Sequence, residues 1–566
     1  MSDERFSDPS TWNIHAKPCG RVNYERLCTL PGSPVSQQAM RDQLRWVLDD
    51  KMYEGVAVKG VGQIPNARYK QRWIDHLVRH DVIAEIEPHR IRGAVNMFAV
   101  PEWWKERFRS IKETQDINIA CGKETVTPCT FPSKPDITSM VNDGEYVITL
   151  DFAAWYDQFE LGEQVASRMC FRHNGKCYRL CTMAMGQRQA VAVANTATER
   201  LLDFDKQSRR TERIIDNVIF AGTREAVIHD ATAFIARCKE ACATLNEIDV
   251  KTATASDIEQ LAVRAADWGG VSLNFVDKTV KLTAKTVEKV KMSWERRHEW
   301  TCRQYAAHVG LLFWAWGIIE LPMADFFPTL RFNSEMSKRM TASQPPPAYP
   351  EAAGAPTVWP ENPAWDEPVA IWETVWPSLE RWTNLVIDNA PRAVNPVGEP
   401  DLLMLTDASR WGWGYVSYDT RTGSVQCHGE PWSKYMVKKH GNRLGHSTFT
   451  EPEAVIRSLC HRVSTRAVDG APPIRRIRIG TDNTVTEVAY NRGYNIASYD
   501  INRCLQRAYK LFPPSVYTIE LRYVRGVDNL ADGRSRGIDI ASEDVRDKAP
   551  EVLRRLLGGG EGSKLS

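Results

Sequence analysis

The chain has 566 residues, 43% of them apolar and 25% charged, with a net charge of +2. Those proportions suit a globular protein of roughly three or four domains. They exclude a global basic field, so any nucleic-acid surface has to be local.

Thirteen cysteines are scattered without a CxxC pair. That usage predicts reduced thiols and an intracellular protein, cytoplasmic or nuclear. MSDERFSDPSTWN lacks an apolar core, so no secretory signal is expected. The most apolar stretch, VGLLFWAWGIIELPMA, is short for a membrane span and predicts a core helix.

Residues 1–65 are expected to form an extension whose one clear element is a helix over 37–48, with Met40, Leu44 and Leu48 at four-residue spacing. RWIDHLVRHDVIAEIE reads as a helix and then a strand. Lys105, Arg107 and Arg109 follow close together, either as phosphate-holding cations beside a strand or as a solvated charged turn.

The chain is organised around YVITLDFAAWYDQFEL, 146–161. Val147, Ile148, Thr149 and Leu150 predict a strand buried on both faces. It ends in Asp151, and a carboxylate there is costly unless a turn or a divalent cation engages it. Next, Asn174-Gly175 predicts a two-residue hairpin. Cys170, His173, Cys177 and Cys181 suggest zinc, but the hairpin register turns His173 away from the cysteines. A helix follows at AVAVANTATERLL.

RIIDNVIFAG reads as a hairpin with Asp216 at its tip, able to face Asp151 across a sheet. Phe234, Cys238 and Cys242 share a helix face and are expected in the core. DWGGVSLNFVDKTVKL predicts another hairpin. Beyond it, Lys278, Lys281, Lys285, Lys289, Lys291, Arg296 and Arg297 are interleaved with Trp294 and Trp300, which suggests contact with a nucleic-acid backbone. A Pro/Ala-rich linker is expected at 343–356. A helix with Leu379, Trp382 and Val386 on one stripe follows.

From 401 the pattern is β-β-β-α-β-α-α-β-α. LLMLTDA ends in Asp407, RIRIGTDN in Asp482, and Asp532 opens a last short helix. Glu451 lies four residues before Val455 and shares the inward stripe of Val455, Leu459 and Val463; Glu453 does not. Four such carboxylates in one small domain predict a two-metal hydrolytic site.

These residues carry a resemblance. TDASRWGWG, the TEPEAV helix, TDNTVTEVAYNRG and YVRGVDNLADGRSR resemble the four acidic motifs of retroelement ribonucleases H, in order. Positions of about 95–335 resemble a reverse transcriptase. Arg109 to Asn118 aligns with its fingers motif; Asp151 and Tyr156 fit its palm motif. Met183-Ala-Met-Gly186-Gln187 to Ala190 fits Leu-Pro-Phe-Gly-x-x-x-Ala, and Asp216-Asn217 fits Tyr-x-Asp-Asp. Asp267-Trp268-Gly269-Gly270 is similar to a primer grip. Domain order looks most like the tyrosine-recombinase retrotransposons, the DIRS, Ngaro and trypanosomatid VIPER group. Asn217 stands where the family has a second Asp, and no His follows Asp532.

The resemblance implies an α/β multidomain chain: a right-hand polymerase of fingers, palm and thumb, then a ribonuclease H-like domain on a mixed five-stranded sheet. The expected boundaries are fingers and palm at 66–275, thumb or connection at 276–342, a linker and Trp-rich helix at 343–400, the ribonuclease H-like domain at 401–540 and a tail at 541–566. It implies Mg²⁺ or Mn²⁺ held by Asp151 and Asp216 in the palm, and by Asp407, Glu451, Asp482 and Asp532 in the second domain. The Phe152 carbonyl would assist the first set. Arg109 would meet the triphosphate and Tyr156 would lie beneath the sugar. Gly186 and Gln187 would adjoin the base pair, and Trp268, Gly269, Lys278, Lys281 and Lys285 the nucleic acid. The implied partners are an RNA template, a DNA primer, an RNA/DNA hybrid and deoxynucleoside triphosphates, with no membrane.

Overall fold

The computed structural model describes residues 7–17, 19–120, 127–342, 362–395, 398–466, 473–537 and 542–558. The expected linker at 343–356 lies outside them. The described residues form two compact units, one up to residue 278 and one from residue 279 on. No described helix is long and apolar enough to cross a membrane.

The first unit is built on a three-stranded sheet. Strand β1 (Tyr146–Asp151) is as apolar as its sequence predicts, with Val147, Ile148 and Leu150 buried. A hairpin of β2 (Arg210–Ile214) and β3 (Asn217–Gly222) pairs antiparallel with it, in the order β1-β3-β2. The register sets Asp151 opposite Asn217. Two helices with buried faces complete the layer: α1 (Ala190–Leu201) packs on the N-terminal helix 34–48, and α2 (Arg224–Glu240) backs the sheet. Small side chains let α1 sit close, and Phe234 and Cys238 of α2 are fully buried. Cys242 falls beyond α2 at a φ of +59°, off the predicted stripe.

The N-terminal stretch packs into this core. Its helix runs Pro34–Leu48, capped by the Ser33 hydroxyl, which accepts from the Ser36 N–H. Met40 and Leu44 are buried, whereas Leu48 ends the helix exposed. Strands Asn96–Glu102 and Arg107–Glu113 form a hairpin. The 170–180 hairpin has the expected register, Cys170 opposite Arg179 and Arg172 opposite Cys177. Cys170 and Cys177 pack with Ile64 and Ile91, an apolar cluster and not a zinc site.

In the second unit, helices Cys302–Ile319 and Trp376–Asp388 pack together, the latter through buried Leu379, Trp382 and Val386. The Trp294 and Trp300 rings lie edge to face, 5.9 Å apart, and Trp300 is buried. Trp300 is thus a packing residue, while Trp294 is half-buried beneath the Arg297 guanidinium.

Beyond them lies a mixed five-stranded sheet: β4 (Leu402–Ala408), β5 (Gly412–Asp419), β6 (Val425–Pro431), β7 (Arg476–Thr481) and β8 (Thr518–Tyr523). The order is β6-β5-β4-β7-β8, antiparallel from β6 to β4 and parallel from β4 to β8. Alternation along β4 sends Leu402 and Met404 to one face, Leu403 and Leu405 to the other. Helix α3 (Ser447–Arg466) covers the first face through Ala454, Val455 and Leu459. Helix α4 (Tyr499–Leu511) packs on α3, and α5 (Asp532–Ser535) lies at the end of β5.

The second face is closed by α6 (Ser542–Leu557), whose Val545, Ala549, Leu553 and Leu557 meet Leu403, Leu405, Val416 and Tyr418. The tail expected at 541–566 is thus, over 542–557, a packed helix. Its apolar residues sit at four-residue spacing, the period of a one-sided helix. A further short helix, Lys434–His440, precedes α3, in addition to the β-β-β-α-β-α-α-β-α pattern expected.

Candidate functional site

Two carboxylate sites stand out, one in each unit. In the first, Asp151 ends β1 and Asp216 occupies the β2–β3 turn. The turn holds Ile215 at a φ of +55°, left-handed and rare for a β-branched residue. The Thr198 hydroxyl, on α1, donates to the Ile215 carbonyl at 2.6 Å and fixes that conformation. The positive φ therefore falls on Ile215, while Asn217 is an ordinary strand residue.

Amides surround Asp151. Asn246 Nδ2 donates to its Oδ2 at 2.9 Å and Asn217 Nδ2 to its Oδ1 at 3.4 Å. Glu247 accepts from the Asp151 N–H. Burial, then Asp216 and Glu247, push the Asp151 carboxyl up to about 6. Burial also raises Asp216, against the pull of Arg109 and Lys105. Asn246 and Glu247 are site residues that the sequence did not reveal. They arrive because the Ala153 N–H donates to Thr244 and the Asn246 N–H to Asp151, a pairing between distant segments.

Both carboxylates open on one cleft of about 200 Å³. Lys17, Lys105, Arg107, Arg109 and Lys112 line it, with Tyr156. Glu102 holds Arg107 at 2.7 Å and Arg109 at 2.5 Å. The Lys112 ammonium is buried against Asp157 at 2.6 Å. Burial opposes ionisation of Asp157, but Lys112 holds its carboxyl below the usual range. Burial first, then Asp216, push the Tyr156 hydroxyl up to about 12. Of the predicted residues, Asp151, Asp216, Arg109, Tyr156 and Phe152 thus meet in one cleft.

Others do not. Gln187 is buried and donates to the Tyr53 hydroxyl, so it faces the interior and not a base pair. Gly186 is exposed, and a Cβ there would lie 2.6 Å from the Lys112 carbonyl, which already explains the glycine. The Phe152 carbonyl accepts from Asn246 at 3.3 Å, and its ring stacks on Trp155. Trp268 is 2% exposed, a core residue and not a nucleic-acid contact. Gly269, at a φ of +56°, forms the hairpin turn and lies near Ile214. Lys278 donates to the Gly144 carbonyl at 2.6 Å and is spent on the backbone. Lys281 and Lys285 are exposed.

In the second unit, Asp407 near the end of β4, Glu451 on α3 and Asp482 just past β7 bring carboxylate oxygens within 4.8 Å of one another. Parallel pairing of β4 and β7 puts both strand ends on the same edge. Glu451 is 3% exposed. Its Oε1 accepts from the Ala408 N–H at 3.1 Å, and its Oε2 is buried without a hydrogen-bond partner. Burial, then Asp407 and Asp482, push its carboxyl up to about 9. Asp407 rises to about 6 through burial, countered by the Ser535 hydroxyl, which donates to it. Asp532 stands further out: it is paired with Arg536 at 2.7 Å, yet close enough to raise Asp407 and Asp482.

Glu453, read as outside the inward face, is also buried. It faces α4, where Arg507 holds it at 2.7 Å and Arg457 of α3 at 3.0 Å. Each of its oxygens has a cation, which is what separates it from Glu451.

No protein-family model matches the chain, and no curated protein does. Similar solved structures include the foamy viral protease-reverse transcriptase in complex with double-stranded DNA, 12% identical over 90% of this chain and 99% of that one, TM-score 0.42. Another holds the foamy viral protease-reverse transcriptase in complex with an RNA/DNA hybrid, 13% identical over 88% of this chain and 63% of that one, TM-score 0.41.

Proposed function

We propose that the chain is an RNA-directed DNA polymerase with an associated ribonuclease H, of the retrotransposon kind most like the tyrosine-recombinase group. In this reading the first unit supplies fingers and palm, the 276–342 helices the thumb or connection, and the five-stranded sheet the ribonuclease. The observation that carries it is that each unit gathers its own set of strand-end carboxylates, the first facing a cleft rimmed with cations.

The residues fit divalent cations. Glu451 Oε2 is a buried acceptor lacking a donor, and hard carboxylate oxygens suit Mg²⁺ or Mn²⁺. Asp407, Glu451 and Asp482, with Asp532 at the rim, would hold the ions of the ribonuclease; Asp151 and Asp216 would hold those of the polymerase. Bound there, the ions would supply Lewis acidity and neutralise charge on the phosphate. The chain's residues do the rest. Arg109, released from Glu102, and Lys105 would bind the triphosphate of an incoming deoxynucleotide. Tyr156 would limit space beneath its sugar. In the ribonuclease the RNA/DNA hybrid would be read by shape and by 2′-hydroxyl contacts and not by sequence. An RNA template and DNA primer are the partners of the first site.

A second reading keeps the ribonuclease alone. It is favoured by Asn217 and Asn246, whose amides already satisfy both oxygens of Asp151. Primer extension on poly(rA)/oligo(dT), run beside hybrid cleavage, separates the two. Extension without cleavage, or neither, overturns the proposal; cleavage without extension selects the second reading.

A further inference from the structure

The N-terminal stretch carries no motif of its own, yet it reaches the first site as a strap pinned on both sides. On one side it runs parallel to strand Arg107–Glu113. The Asn13 carbonyl accepts from the Phe108 N–H at 2.9 Å, and the His15 N–H donates to the Phe108 carbonyl at 2.6 Å. Trp12 and Ile14 are buried there, and the Trp12 ring meets Trp103 edge to face at 5.1 Å. On the other side the Gly20 N–H donates to the Thr244 hydroxyl at 2.8 Å, and the Val22 N–H to the Gln158 carbonyl at 2.9 Å. A Cβ on Gly20 would stand 2.7 Å from the Cys242 carbonyl, so the close approach requires glycine.

Between these anchors Lys17 lines the cleft that holds Asp151 and Asp216. Its ammonium donates to Asn246 Oδ1 at 3.0 Å, and Asn246 Nδ2 donates to Asp151 Oδ2 at 2.9 Å. The cation thus stands one amide away from a candidate metal ligand. An ammonium has three donors, and Asn246 takes one of them. Arg107 and Arg109 are held by Glu102, and Lys112 by Asp157. Lys17 differs: it is exposed, and its described partner is a neutral amide.

We propose that Lys17 is a substrate-binding residue of the first site, setting its ammonium on the phosphates of an incoming nucleoside triphosphate. The proposal rests on the polymerase reading above. An ammonium on a flexible stem suits phosphate as a point charge. The strap is tied to the strand that carries Arg109 and to the segment that carries Asn246. It therefore holds this charge in register with both Arg109 and Asp151.

The test uses the full chain on poly(rA)/oligo(dT) with Mg²⁺. Binding of the non-hydrolysable α,β-imido analogue of thymidine triphosphate is measured beside single-nucleotide extension with the natural triphosphate. Lys17→Gln should weaken analogue binding and raise KM by about 10-fold. Its kcat should stay within about twofold of wild type, and the Mg²⁺ requirement should not move. Lys17→Arg, which keeps the charge, should restore most of the affinity. A Lys17→Gln protein that binds the analogue like wild type overturns the proposal and leaves the polymerase reading intact. A lowered kcat at unchanged KM also overturns it, because Lys17 would then only position Asn246. A wild type that neither binds the analogue nor extends the primer overturns the polymerase reading, and the proposal with it.

Discussion

The two carboxylate sites differ in the company their acids keep. Around Asp151 two acids, Asp216 and Glu247, are offset by the amides of Asn217 and Asn246, and the carboxyl rises only to about 6. Around Glu451 the nearest groups are other carboxylates, one oxygen has no partner, and the carboxyl rises to about 9. An acid whose oxygens already accept hydrogen bonds can wait without a cation. A buried acid among like charges must take up a proton or a metal. The first site should therefore tolerate metal removal structurally, and the second should not.

The largest expected effect tests whether the sites are independent. Asp407→Asn should lower hybrid cleavage by at least about 100-fold and leave primer extension near wild type. Asp216→Asn should do the reverse. If either substitution removes both activities from a folded protein, the two-site assignment fails.

Tyr156→Ala probes the cleft beside Asp216. Opening space under the sugar should raise ribonucleotide over deoxynucleotide incorporation by about 10-fold, read by single-nucleotide extension. An unchanged ratio removes Tyr156 from that role.

Asn217→Asp makes the first site more like the second. A third acid beside Asp151 should lower the Mg²⁺ needed for half-maximal extension by about threefold. A higher requirement would mean that the amide, not a missing charge, suits this position.

The smallest effect is thermal. Glu451 binds its proton more tightly folded than unfolded, since its carboxyl stands at about 9 against an ordinary 4.5. The folded metal-free form thus carries the extra proton in that window, and the stability it confers at low pH is lost as pH rises toward 9. Chelated wild type should lose a few degrees of Tm relative to Glu451→Gln between about pH 5 and 9. Mg²⁺ should flatten the difference. A wild type that gains Tm over that range would contradict the buried proton.

Much of this geometry was legible locally. Strands announced by Val147–Leu150 and Leu402–Leu405 run into Asp151 and Asp407, because apolar runs and the acids that end them are neighbours in sequence. What escaped depends on distant segments meeting. Asn246 reaches Asp151 through backbone pairing that no local pattern encodes. Glu453 looked like a surface acid because α4, which supplies Arg507, comes some fifty residues later. Trp268 misled in the opposite direction: an indole beside two glycines resembled a contact, and the structure buries it.

The left-handed Ile215 has a mechanical consequence. A β-branched residue held there stores about 1–3 kcal/mol, so the β2–β3 turn is a sprung catch. Its residue 215 carbonyl is held by the Thr198 hydroxyl, on a helix that is buried along most of its length, and its residue 216 carbonyl by the Phe152 N–H at 2.9 Å. Such a helix cannot tilt without disturbing the core. Asp216 sits on a loop, yet it inherits the stiffness of α1 and of β1, and Thr198→Val would loosen the catch on the helix side without touching either carboxylate.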